Sequence, residues 1–262
     1  MPNHVYNVVS FNCSDRLNEE ILRYVKADDQ RLGSIDFNKL IPMPEFINAT
    51  ENAPAMTKII RSMVYYLSDR GTAEIKGEDA SLIALYAEPR SSFMPLSVFS
   101  VDEAKTEAEN GPDPDKIYRQ GEQFFKALKE TGCTNWYDWS IRHWGTKWNA
   151  YGFEYLPESE GELIFHTAWS PVPEVIEELS RRFPDVDICY SWADEDIGYN
   201  LGRLSFLNGE VTGKYYPTEG SNEAYDFAAM IQDCSVEDFG YTKDPKTGQY
   251  VPFYELEQAE EG

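Results

Sequence analysis

Few residues in this chain have the types and spacing that chemistry demands. There is no Gly-x-Ser-x-Gly elbow, no phosphate-cradling glycine loop, no Gly-x-Gly-x-x-Gly turn and no Cys–His signature. The histidines are His4, His143 and His166, and none stands in a His-Glu-x-x-His or His-x-His spacing. His143 and His166 would form a metal or acid–base pair only if the fold joined them. A hydrogen-bonded, partly buried imidazole is the simpler expectation for each. Asp194-Glu195-Asp196, followed by Gly198, looks like part of a cation loop. It lacks the further alternating oxygens and the distal glutamate of a calcium site, so a solvated turn is expected. Glu158, Glu160 and Glu162 flank a turn and need no other reason to be there. No cofactor and no metal is expected, and the reading is of a non-catalytic protein.

The aromatic residues are more unusual. Trp136, Trp139, Trp144 and Trp148 are four of the six tryptophans and fall within residues 135–151. Such a set can stack bases or a flat ligand, but stacking platforms sit in basic surroundings, and this chain carries a net charge of −23. A tryptophan-lined core is expected, with Asp138 and Arg142 paired at i, i+4. The competing expectation is a protein that binds a nucleotide or another small molecule, or an enzyme, with a pocket where Trp136, Trp139, His143, Trp144 and Trp148 meet His166 and Trp169.

Charge gives the strongest lead. The net charge is −23 over 262 residues. Residues 150–262 hold 24 acidic and 6 basic side chains, a net of −18, whereas residues 1–149 hold 22 and 17, a net of −5. Such a field repels nucleic acid and anionic lipid and attracts basic protein surfaces. Carboxylates on a compact sheet can imitate phosphate spacing and bond to Lys/Arg clefts. Asp185, Asp187, Asp194, Glu195, Asp196, Glu210 and Glu219 are the residues expected to meet such a partner. Charge that serves only solubility is the competing explanation.

Several classes are set aside. No run of about eighteen apolar residues predicts a membrane helix, and the opening residues do not read as a secretory signal. Cys13, Cys133, Cys189 and Cys234 are far apart, so free thiols in a reducing cytoplasm are expected.

Periodicity then places the elements. Residues 5–12 alternate as a strand, and 15–26 follow as a helix with Ser14 as its N-cap. Residues 33–44 read as a short extended element, 45–55 as loop, 56–67 as an amphipathic helix, and 80–87 as more helix. Residues 88–113 read as irregular, and a helix over 113–129 stops at Gly132. A short helix to Trp144 and a turn at Gly145 lead into a strand over 147–155. A turn at Glu158–Gly161 precedes a strand over 162–169, a helix over 174–182 and a strand over 186–193. Asn208-Gly209 marks a type I′ hairpin between strands 199–207 and 211–216. A helix over 222–231 follows, and the acidic tail from Glu255 is expected to fray.

Without residues 33–146 the order is β-α-β-β-α-β. The fold class expected is α+β: a ferredoxin-like, split βαβ antiparallel sheet extended by the C-terminal hairpin, with a large helical insertion. Residues 1–32 and 147–254 would form the sheet domain, 33–146 the mainly helical insertion and 255–262 the acidic tail.

Two stretches resemble a known family. Asn135-Trp-Tyr-Asp-Trp-Ser-Ile-Arg-His-Trp-Gly-Thr-Lys-Trp148 and Phe165-His-Thr-Ala-Trp-Ser-Pro171, with Leu179-Ser-Arg-Arg-Phe-Pro184, are similar to signatures of the YubB-like proteins. Met1-Pro-Asn3 and Phe37-Asn-Lys-Leu-Ile-Pro-Met-Pro44 look like theirs too, and residues 50–112 are uncovered. The resemblance implies a ferredoxin-like domain and an origin in phages or plasmids, with no activity and no catalytic residues to transfer. Together with the charge, it leads to an expected function. The protein would bind and inhibit a basic, nucleic-acid-binding host defence protein of CRISPR or restriction type, by nucleic-acid mimicry. Direct nucleic-acid and membrane binding are not expected. A structural protein of the phage particle is a third possibility.

Overall fold

The computed structural model describes residues 3–50, 54–88, 96–157 and 161–260. The chain opens with β1 (His4–Asn12) and α1 (Asp15–Val25). A helical run follows: α2 (Glu45–Asn48), α3 (Met56–Leu67), α4 (Glu78–Ala87), α5 (Val101–Asn110), α6 (Pro114–Thr131) and α7 (Trp136–His143). Next come β2 (Leu163–Ala168), α8 (Pro173–Arg182), β3 (Asp187–Asp194), β4 (Gly202–Leu207) and β5 (Glu210–Tyr215). The chain closes with α9 (Asn222–Ile231), β6 (Tyr241–Lys243), β7 (Tyr250–Pro252) and α10 (Phe253–Glu260). It divides into two compact units, Met1–Pro42 with Ser140–Gly262, and Met43–Trp139.

The first unit is built on an antiparallel sheet in the order β2-β1-β3-β4-β5. Alternation along β1 separates two faces. Val5, Asn7 and Val9 are fully buried and share a face with Phe165, Tyr190 and Ile188. Helices α1 and α8 cover that face, through Ile21, Leu22 and Val25 of α1 and Val175, Ile176 and Leu179 of α8. The ring of Tyr24 on α1 lies 5.7 Å from that of Phe183, just after α8. A buried polar chain pins the layers together. Val172 N–H donates to the Tyr190 hydroxyl at 2.8 Å, which donates to Asn7 Oδ1 at 2.7 Å, and Asn7 Nδ2 donates to Thr167 Oγ1 at 3.0 Å. With every member satisfied, such a network fixes one strand register.

The other face carries His4, Tyr6, Val8, His166, Ser191 and Arg203. Helix α9 covers part of it. Ile231 packs against the cluster of Tyr6, Leu156 and Ile164, and Arg203 donates to Ser191 while lying 5.3 Å from the Phe227 ring. His4 and His166, at the β2 edge, lie off this cover.

The expected α+β class and ferredoxin-like sheet are present, and the hairpin extends the sheet beside β3. Asn208 at φ +52° and Gly209 at φ +76° make its turn. Ser14 caps α1 by accepting the Leu17 N–H, and Gly132 at φ +73° ends α6.

Several expectations are corrected. The strand over 147–155 does not form. Only Tyr151 pairs, by one antiparallel bridge to His166, because Gly152 turns the chain at φ +83°. That bridge occupies the position of the second strand of a split βαβ sheet, beside β2. Residues 33–44 hold a 3₁₀ turn at Phe37–Lys39, and α2 lies within 45–55. The stretch read as irregular contains the 3₁₀ turn Leu96–Phe99 and the helix α5. The expected fraying tail begins within α10. Residues 51–53, 89–95, 158–160, the opening Met1-Pro2 and residues 261–262 of the acidic tail lie outside the described residues, so the turn at Glu158–Gly161, apart from Gly161, and part of the irregular stretch fall there too.

The second unit is helical. Its core is Ile59, Ile60, Met63 and Val64 of α3 with Phe124, Phe125 and Leu128 of α6, joined by Ile83, Ala104 and Ala108. Gly121 lets α6 lie directly on the Ser62 backbone of α3.

Candidate functional site

Antiparallel pairing brings the start of β1, the ends of β2 and β3 and the start of β4 to one end of the sheet. Trp169 closes β2 at φ +69°, a strained backbone for a bulky residue, and its side chain is 43% exposed. Its backbone is tied down at both groups. Trp169 N–H donates to Asn3 O at 2.9 Å, and Trp169 O accepts from Asn200 Nδ2 at 3.1 Å. Trp148 is 38% exposed. Lys147 Nζ lies 4.4 Å from the Trp148 ring and 5.1 Å from the Trp169 ring, so the two indoles hold one ammonium between them.

The loop after β3 adds charge to this end. Asp194 is 5% exposed, and its carboxylate accepts from Asn3 Nδ2, the Asp196 N–H and Asn200 Nδ2. It builds the loop and is not free to meet a partner. Glu195 and Asp196 are exposed beside it. Glu219 accepts the Asn200 N–H at 3.1 Å, and Gly220 N–H donates to Gly198 O at 2.9 Å. Tyr199 and Tyr216 are exposed on the same loops, with Tyr216 against the Trp192 ring at 5.9 Å.

A pocket of about 470 Å³ borders this end, lined by His4, Gln30, Tyr151, Glu154, Tyr155 and His166 among others. His4 Nδ1 lies 2.7 Å from the Tyr151 hydroxyl, which donates to Thr167 O at 3.2 Å. The two imidazole centroids are 5.6 Å apart. Burial, then the neighbouring His4, pushes His166 down to about 4, against an opposing pull from Glu154, so its imidazole is neutral at pH 7. Burial and the Glu195 charge push Tyr151 up to about 12. Among the described residues no group of three or more His, Cys, Asp or Glu side chains could hold a metal.

The seven carboxylates singled out in the sequence do not form one face. Asp194, Glu195, Asp196 and Glu219 lie at the tryptophan end. Asp187 starts β3 and Glu210 starts β5, so with Asp185 they lie at the other end. Seven strand steps at about 3.3 Å each put the two groups about 23 Å apart. Of the expected pocket residues, the fold links Trp148, His166 and Trp169, through Tyr151 and Lys147. Trp144 is core instead, with its Nε1–H donating to Ile41 O at 2.9 Å and its ring on Phe37. Trp136 is half-buried and Trp139 buried, both in the helical unit. His143 on α7 is half-buried, and burial, then Arg142, lowers its pKa. Asp138 accepts from the Tyr86 hydroxyl at 2.7 Å and from Thr134. Sequence reasoning missed His4, Gln30, Tyr151 and Tyr155. The one available signal was the shared side of the β1 and β2 alternation, which sets His4 and Tyr6 beside His166.

Among the described residues no helix is long and apolar enough to cross a membrane. Residues 143–235 match the family model described as the ferredoxin-like domain in Api92-like protein. The chain thus carries a ferredoxin-like domain, as its tryptophan-rich segments suggested. A crystal structure of the protein api92 from Yersinia pseudotuberculosis is similar at 10% identity, covering 83% of this chain and 99% of that one, with a TM-score of 0.33. No curated protein matches the chain.

Proposed function

We propose that this protein is a non-catalytic acidic binder of a basic, nucleic-acid-binding protein, and that it uses the tryptophan end of its sheet. One observation carries the reading. From Phe183 to Glu260 the chain has 16 carboxylates against the four cations Arg203, Lys214, Lys243 and Lys246. Among the described residues of that stretch no ion pair forms, whereas Arg181 and Arg182, just before it, pair with Glu177 and Glu178. Unpaired surface carboxylates steer a basic partner and raise its on-rate. Trp148, Trp169, Tyr199 and Tyr216 supply the rigid aromatic area that carries binding energy at an interface, with Glu195, Asp196 and Glu219 as its charged rim. The concrete form is a phage or mobile-element protein that occupies the DNA or RNA groove of a host defence nuclease.

The test is capture of partners from bacterial lysate on the immobilised protein, at low and high salt. The expected partner is a basic nucleic-acid-binding protein that high salt releases and that added nucleic acid displaces. The triple reversal Glu195→Lys, Asp196→Lys, Glu219→Lys should abolish capture. The matching reversal of Asp185, Asp187 and Glu210 should weaken it less. Capture that survives the first triple would defeat the reading.

A second reading rests on the 470 Å³ pocket with its neutral His166: a small-molecule or nucleotide-binding protein, or an enzyme. A thermal shift that a nucleotide or metal produces in the parent protein but not in His166→Gln would favour it.

A further inference from the structure

The helical unit contains a cleft that the sheet surface does not use. It encloses about 840 Å³ between α3, α5 and α6, within the range of small-molecule sites. Its wall carries the cations Lys58, Arg61, Lys116 and Arg119 against the carboxylates Glu107 and Asp113, and the amides of Gln120 and Gln123. The wall is thus net positive in a unit whose residues 43–139 hold 10 basic and 16 acidic side chains. An apolar floor of Ala104, Ala108, Ile117 and Phe124 lies beneath.

Two details sharpen this. Arg61 is held by its terminal nitrogens, to Glu107 and to Glu103 at 2.8 Å, while its Nε–H is buried and has no partner among the described residues. An unmet buried donor in a cleft wall is a feature that ordinary packing removes. The start of α6 is already capped, by Asp113 accepting the Lys116 N–H at 2.9 Å. Side chains, not the helix end, must therefore supply any anion binding. Lys58 and Arg119 are exposed at the cleft, and the Arg119 contact to Asp113 is long, at 3.9 Å.

We infer that this cleft binds a small phosphate-bearing molecule with a flat ring, of nucleotide size. The ring lies on the Ala104, Ala108 and Phe124 floor and is read by the Gln120 and Gln123 amides. The phosphates face Lys58 and Arg119, which bind them by charge-assisted hydrogen bonds.

Isothermal titration of the full chain with ATP, GTP, adenosine and inorganic triphosphate tests this. Saturable binding of a nucleoside triphosphate is expected, at least tenfold tighter than adenosine or triphosphate alone. Lys58→Glu with Arg119→Glu should weaken it at least tenfold. Gln123→Trp, which keeps the charge but fills the cleft, should weaken it similarly. Hydrogen exchange should show protection confined to residues 58–62 and 116–123. No saturable binding up to millimolar nucleotide would overturn the inference. So would binding that both variants leave unchanged, or protection that falls instead on His4 and Tyr151. The sheet surface is untouched by these variants, so this result and the partner-capture result are independent.

Discussion

His166→Gln isolates the proton linkage of the sheet-edge pocket. Burial beside His4 holds the folded-state pKa of His166 near 4, against 6.5 for an ordinary imidazole. Between those values the unfolded chain binds a proton that the folded chain does not. Stability therefore falls as pH drops from 6.5 toward 4, and the effect is absent above 6.5. At 1.36 kcal/mol per unit the full shift is worth about 3 kcal/mol. Water reaches part of the ring, so about 1–2 kcal/mol is the working figure. For a chain of this size that corresponds to about 2–8 °C in Tm. Calorimetry of the parent and the variant at pH 7, 6, 5 and 4 reads it directly. The stability difference, parent minus variant, should shrink by about 1–2 kcal/mol from pH 7 to pH 4, since groups common to both cancel. A difference that stays flat across that range would refute the burial argument for His166.

Other substitutions test the scaffold. Gly121→Ala would place a methyl on the Ser62 carbonyl where α6 crosses α3. Urea denaturation should show a loss of about 2–4 kcal/mol, in the range of overpacked cores. Asp194→Ala removes the buried acceptor of three part-buried hydrogen bonds, from Asn3, Asp196 and Asn200, so a loss of about 1–2 kcal/mol is expected. Asp196→Ala, at an exposed site, should stay within about 0.5 kcal/mol of the parent in the same assay.

Much of the sheet unit, and α3 of the helical unit, was legible in the sequence. The alternation of residues 5–12, the spacing of Ile59, Ile60, Met63 and Val64, and the Asn208-Gly209 turn are local signals, and each produced its element. Residues 147–155 misled because tryptophan and tyrosine favour strands, while Gly152 at φ +83° folds the chain back after one bridge. Helix α5 was missed because it buries only Ala104 and Ala108, which leave no apolar stripe. Ser100, whose hydroxyl accepts the Glu103 N–H, was the readable mark of its start. The acidic set was legible as composition and not as a surface. Asp187 and Asp194 are close in sequence, but β3 carries them to opposite ends of the sheet, and three hydrogen bonds take Asp194 out of contact. The pocket was hidden because His4, Tyr151 and His166 come from three separate segments joined only by strand pairing.

The central claim is that the tryptophan end of the sheet binds a basic partner. Its most direct measurement is the salt dependence of affinity for the captured partner, in the parent and in the Glu195, Asp196, Glu219 charge reversal. Affinity should fall steeply with salt in the parent, and the reversal should abolish binding at every salt concentration. Binding by the reversed protein with the parent's affinity and salt slope would contradict it.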